Sequence, residues 1–217
     1  MKKKIGLVLS LLAGLSIYSF HATAMNEEFP ELSRNRVAGY GVGDAVADFK
    51  LKNVDGKMVS LKDFQSAKGF IVIFISNHCP FSKSYEDRVI ALDKKYASQG
   101  YPVIAINPND PEAYEEDSFA NMQARAKDKG YTYPYLTDNT QAVTKSFGAA
   151  RTPHAFVLNK ENGKIIVQYI GAIDDNAQDP VNVTKHYVAD AVNSLLLGKP
   201  VVTPSTKAIG CAIKWKT

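Results

Sequence analysis

The 217-residue sequence predicts an α/β layer fold built on a mixed sheet flanked by helices, with a β-hairpin ahead of it. Three observations predict it. Phe70-Ile71-Val72-Ile73-Phe74-Ile75 is an apolar run rich in β-branched residues, the signature of a strand buried on both faces. Tyr85, Val89, Leu92 and Tyr96 follow at helical spacing, and residues 103–106 make a second buried strand. Finally, residues 155–158, the dipeptide Asn162-Gly163 and residues 165–170 read as two strands joined by a tight turn.

In chain order, Met1-Lys2-Lys3-Lys4 precedes an apolar stretch that ends in Ala22-Thr23-Ala24. A basic start, a short apolar core and an A-x-A end predict a secretory signal peptide over residues 1–24 rather than a membrane span. The expected address is therefore outside the cytoplasm, in the bacterial periplasm. Losing Lys2, Lys3 and Lys4 with the leader takes the formal charge from +4 to +1. That near-neutral balance argues against nucleic acid as a partner, and no membrane attachment is expected after cleavage.

Residues 25–41 are polar and end in spaced glycines, which predicts a flexible lead-in. Residues 42–198 then form the domain. Phe49-Lys50-Leu51-Lys52, Asp55-Gly56 and Met58-Val59-Ser60-Leu61 predict the N-terminal hairpin. The helix after Cys79 starts with Pro80 in its first turn, where the missing N–H is tolerated, and is ended by Gly100. Asn107-Pro108-Asn109-Asp110-Pro111 breaks the chain, and the acidic residues 112–117 read as a solvated approach to a helix over 119–129. Residues 131–135 read as a short extended segment, and Val143 and Phe147 as a short helix stopped at Gly148. Val188, Ala191, Val192 and Leu195 carry the face of a last helix. The tail, 199–217, has no periodicity and is expected to move; it holds Cys211 and the one tryptophan, Trp215.

The chemistry is concentrated at Cys79. A cysteine between the end of a buried strand and the first turn of a helix faces unpaired N–H groups and a positive dipole end, which favour thiolate. Cys211 is the other cysteine, and an oxidising compartment permits the two to pair. A resolving thiol, an inert thiol and a static staple are all open readings for it. His78 adjoins Cys79 in the chain, and His154 is expected near it as well if Pro153 lies opposite the sulfur. They are either a pair without a ligand, a means of tuning the thiolate, or two donors of a soft copper or zinc site.

The segment Val42-Gly43-Asp44 through Ser60-Leu61, the strand–turn–Cys79 unit and Thr152-Pro153 together resemble redoxins of thioredoxin-like fold. Asn77-His78-Cys79-Pro80 and Ile209-Gly210-Cys211-Ala212-Ile213-Lys214-Trp215 resemble the peroxiredoxin-like (AhpC/TSA-type) subgroup. The resemblance implies an exported oxidoreductase in which Cys79 attacks a protein disulfide or a peroxide and Cys211 resolves the adduct. It places Ser76 and Ser82 beside the thiolate, with Ser82 where relatives carry the second cysteine of C-x-x-C. Thr152 and Pro153, with His78 and Pro80, would receive the substrate, Pro153 resembling the cis-proline of thioredoxin folds. No cofactor is implied, and the electron donor is left open. The alternative is a non-enzymatic copper or zinc binder on the same scaffold.

Overall fold

The computed structural model describes residues 39–217. The expected leader and residues 25–38 of the lead-in lie outside the described residues. Strands β1 (Lys50–Asn53) and β2 (Met58–Ser60) form the expected hairpin around Asp55-Gly56, with Leu51 opposite Val59. Strand β3 (Gly69–Phe74) is buried along its whole length. It sends Ile71 and Ile73 into one core layer and Phe70, Val72 and Phe74 into the other, which is why its sequence is apolar without alternation. Helix α1 (Pro80–Tyr96) buries Tyr85, Val89 and Tyr96, then tightens into a single 3-10 turn that ends at Gly100.

Strand β4 (Val103–Asn107) runs parallel to β3, with Ile71 opposite Val103. Helix α2 (Phe119–Lys129) is capped by Ser118, whose hydroxyl accepts from the Asn121 N–H at 3.4 Å. Strand β5 (Tyr135–Thr137) begins where the expected 131–135 segment ends. Pro134 has no N–H to give a ladder; its carbonyl accepts from Ala105, and regular pairing starts one residue later. Helix α3 (Ala142–Phe147) stops at Gly148 as expected.

Strands β6 (Arg151–Thr152), β7 (His154–Glu161) and β8 (Lys164–Gly171) follow, the last two joined at Asn162-Gly163. Helix α4 (Tyr187–Leu196) buries Val188, Ala191 and Val192. The main sheet has the order β2-β1-β5-β4-β3-β7-β8. Parallel pairs at its centre are flanked by antiparallel ones, so the sheet is mixed. Helices α1, α2 and α4 cover one face with Tyr85, Val89, Met122, Val188 and Val192. On the other face Phe74, Phe147 and Phe156 meet edge to face at centroid distances of 5.1 to 5.7 Å. No helix among the described residues is long and apolar enough to cross a membrane.

Two expectations about the chain ends are corrected. The lead-in is not loose through residue 41. Tyr40 donates its N–H to the Ser146 carbonyl at 3.1 Å and sets its ring against Phe147 at 5.2 Å. Gly39 and Gly148 make this possible, since a Cβ on Gly39 would run into the Gly148 backbone. The tail is not free either. Thr206 donates to the Ile170 carbonyl, and residues Cys211–Ala212 form strand β9, antiparallel to β6 in a small second sheet. A strand of two residues is too short to leave a period in the sequence.

Candidate redox site

Cys79 sits at the end of the loop that leaves β3 and is the N-cap residue of α1; Pro80 occupies the first helical position. The sequence predicts this placement, and a helix of this length brings unpaired N–H groups and a positive dipole end to the sulfur. Cys79 is fully buried and disulfide-bonded to Cys211, with the two Cα atoms 6.0 Å apart. An open thiolate at the helix mouth is therefore not what this structure holds: Cys211 and the tail cover the sulfur. Cys211 is the less buried residue of the pair. Cys79 Sγ also lies 3.0 Å from the Thr152 carbonyl oxygen, to which a reduced thiol would donate. The Thr152–Pro153 bond is cis.

The two serines are engaged elsewhere. The Ser76 hydroxyl and the Thr152 hydroxyl lie 3.0 Å apart and share a hydrogen bond. Ser82 accepts from the Ser76 N–H at 3.2 Å. They tie the end of β3 to β6 and to the first turn of α1, which fixes the loop on which Cys79 stands.

His78 and His154 part company. His78 Nδ1 is 2.6 Å from the Asp117 carboxylate, and its ring stacks on Tyr114 with centroids 3.9 Å apart. His154 stands at the start of β7 against Phe156, its Nδ1 accepting weakly from the Ala150 N–H at 3.5 Å. Burial pushes its pKa down to about 4, so near neutrality it is an uncharged ring and not an imidazolium able to stabilise a thiolate. A copper or zinc site on Cys79, His78 and His154 has no geometric support. The sulfur is bonded to carbon and sulfur, and His78 is held by a carboxylate. Among the described residues no cluster of three or more His, Cys, Asp or Glu side chains is arranged to hold an ion.

Sequence reasoning missed Asp117. The acidic run is indeed exposed up to Glu116, but Asp117 ends a 3-10 turn (Glu115–Asp117) and is buried. Its carboxylate accepts from the Asn77 N–H at 2.6 Å, the Asn107 amide at 3.0 Å and the Asn109 amide at 2.8 Å, besides meeting His78. Several donors converging on one buried carboxylate explain how it is held there. The signal available was the cluster of asparagines, Asn77, Asn107 and Asn109, at the ends of two apolar strands. Gln141 was missed as well. It is buried at a positive φ of 58° and reaches the tail, donating to the Lys214 carbonyl at 2.7 Å and accepting from the Lys216 N–H at 2.8 Å.

A strand, a cysteine-capped helix, a parallel strand and a cis Thr152–Pro153 bond whose Thr152 carbonyl meets the sulfur define a protein of thioredoxin-like fold. Residues 42–169 match the AhpC/TSA family, and the chain belongs to it. Among curated proteins it is similar to the thiol-disulfide oxidoreductase ResA of Halalkalibacterium halodurans, at 24% identity over 80% of this chain and 90% of that one. Among solved structures it is similar to an uncharacterized conserved protein from Geobacillus kaustophilus. The TM-score there is 0.75 and the identity 38%, over 82% of this chain and 93% of that chain. It also shares its fold with the exposed lipoprotein thioredoxin Etrx1 of Streptococcus pneumoniae (TM-score 0.51, 22% identity, 70% and 99% covered).

Proposed function

We propose that this redoxin is an exported thiol–disulfide oxidoreductase whose reacting couple is Cys79 and Cys211. The observation that carries the reading is the bond between these two sulfurs, formed at the N-terminus of α1 and against the Thr152 carbonyl. In the oxidised protein a partner thiolate attacks Cys79 and Cys211 leaves as a thiolate. A second partner thiol then displaces Cys79, whose negative charge the helix end favours, leaving the partner oxidised and this chain with two thiols. In the reverse direction Cys79 thiolate attacks a partner disulfide, and Cys211 attacks Cys79 to release the partner reduced. Two electrons pass in either direction, and no cofactor is needed.

A protein disulfide suits the site better than a peroxide. The groove beside Cys79 already holds an extended main chain, strand β9 paired with β6, as a protein segment would be held. Export fits the same chemistry, because the leader-like N-terminus would carry the pair into a compartment where disulfides persist.

Rapid-mixing exchange with oxidised and reduced glutathione tests the reading. Cys79→Ala is expected to lose exchange to the uncatalysed level, and Cys211→Ser to accumulate a mixed disulfide on Cys79 seen by mass spectrometry. Full exchange in Cys79→Ala would overturn it.

A further inference from the structure

We infer that the groove under strand β9 is selective, and that the substrates it accepts are extended segments with the pattern Gly-Cys-x-apolar around the reacting cysteine. This rests on the thiol–disulfide reading above. The tail is already bound as such a segment would be.

Cys211 pairs with Thr152 and Ala212 with Arg151 in an antiparallel ladder, and the Ile213 N–H donates to the Ala150 carbonyl at 3.3 Å. The residue before the cysteine has no room for a side chain, because a Cβ on Gly210 would collide with the Thr152 carbonyl. Its own carbonyl accepts from the Arg151 guanidinium at 3.0 Å. The residue after the cysteine, Ala212, is exposed and carries no selection. The next, Ile213, is 5% exposed and packs into the layer that holds Phe147 and Ala149.

Beyond it the tail is hydrogen-bonded through its main chain, while the Lys214 ammonium lies 5.5 Å from the Tyr114 ring centre. The Lys214 N–H donates to Asn109 at 2.9 Å, and its carbonyl accepts from Asp110 and from Gln141. Main-chain bonds of this kind serve any extended peptide, so selectivity is left to the glycine and the apolar residue.

The tail and a partner segment cannot occupy this groove together. With a partner docked, Cys79 thiolate attacks the seated cysteine sulfur. The partner's S–S bond breaks, its second sulfur departs as thiolate, and a Cys79–partner disulfide forms. When the tail returns, Cys211 thiolate attacks Cys79 and the partner cysteine leaves as thiolate. One movement thus closes the cycle and evicts the product. The tethered tail competes at an effective concentration on the order of millimolar, so a segment lacking the pattern is outcompeted.

The test uses the full reduced chain carrying Cys211→Ser and synthetic heptapeptides whose cysteine bears a thionitrobenzoate leaving group. One peptide reads Ala-Ile-Gly-Cys-Ala-Ile-Lys; a second has valine before the cysteine, and a third has aspartate two residues after it. Release of thionitrobenzoate and the mass of the Cys79 adduct are followed. Each altered peptide is expected to react at least about tenfold more slowly, the order that burying one isoleucine supplies.

Equal rates for the three peptides would overturn the inference. The same comparison on the reduced wild-type chain, quenched by acid and weighed, covers a Cys211→Ser chain that fails to fold. Glutathione carrying the same leaving group separates the two readings. If Cys79 reacts with it but not selectively with the peptides, docking alone falls. If Cys79 reacts with neither, the oxidoreductase reading falls too.

Discussion

His154 shows what one ring contributes to pH dependence. It is wedged against Phe156 with one weak hydrogen bond, and burial lowers its pKa to about 4 from an ordinary 6.5. Between those values the unfolded chain holds a proton that the folded chain does not, so stability rises with pH across the window. It is complete above about 6.5 and falls as the pH drops towards 4. Protonation of this ring should cost up to about 3 kcal/mol over that span. Urea midpoints measured from pH 7 to pH 4 are expected to fall less steeply for His154→Phe than for the wild type. Parallel curves would contradict the assignment.

The element that matters most for the chemistry is the turn from β3 into α1, and it is supported from outside its own sequence. Asp117 accepts the Asn77 N–H in the middle of that turn and anchors His78 next to Cys79. Asp117→Ala would leave the Asn77 N–H and the Asn107 and Asn109 amides without their shared acceptor. A loss of about 3 kcal/mol or more is expected in denaturant unfolding. A slower Cys79 exchange rate should accompany it even where the variant remains folded; an unchanged rate and midpoint would show the turn to be self-supporting.

At this scale the sequence was legible wherever a period or a turn residue had to be present. Buried β3, the face of α1 through Tyr85, Val89 and Tyr96 and the Asn162-Gly163 hairpin all leave local marks, whereas the cis bond at Pro153 was legible only through the family resemblance. Asp117 and Gln141 leave none. Their roles depend on partners 8 to 75 residues away, and a polar residue in a loop reads the same whether it is solvated or buried. Tail strand β9 was hidden for a related reason, since pairing with β6 is decided by the fold and not by the composition of Cys211–Ala212.

For the molecule as a whole, the Cys79–Cys211 bond spans 132 residues and so closes everything from α1 to β9 into one loop, with β1, β2 and β3 ahead of it. Constraining so long a loop in the unfolded chain contributes about 5 kcal/mol on the entropic account. Reduction, or Cys211→Ser, is expected to lower the unfolding free energy by an amount of that order while the seven-stranded sheet and its two core layers persist. Equilibrium unfolding with and without reductant measures it. No change on reduction would show that the entropic account does not hold for this bond. Legibility has its limit here as well, because two cysteines can be counted in a sequence but their meeting depends on where β6 brings the tail.

The tail carries the chain's one tryptophan. Trp215 is 42% exposed, and the Lys145 ammonium sits 5.8 Å from its ring centre. An indole's emission depends on the water and charge around it, so light from this ring registers whether the C-terminus is in place. The protein thus carries its own optical gauge of oxidation, readable in dilute solution without a dye.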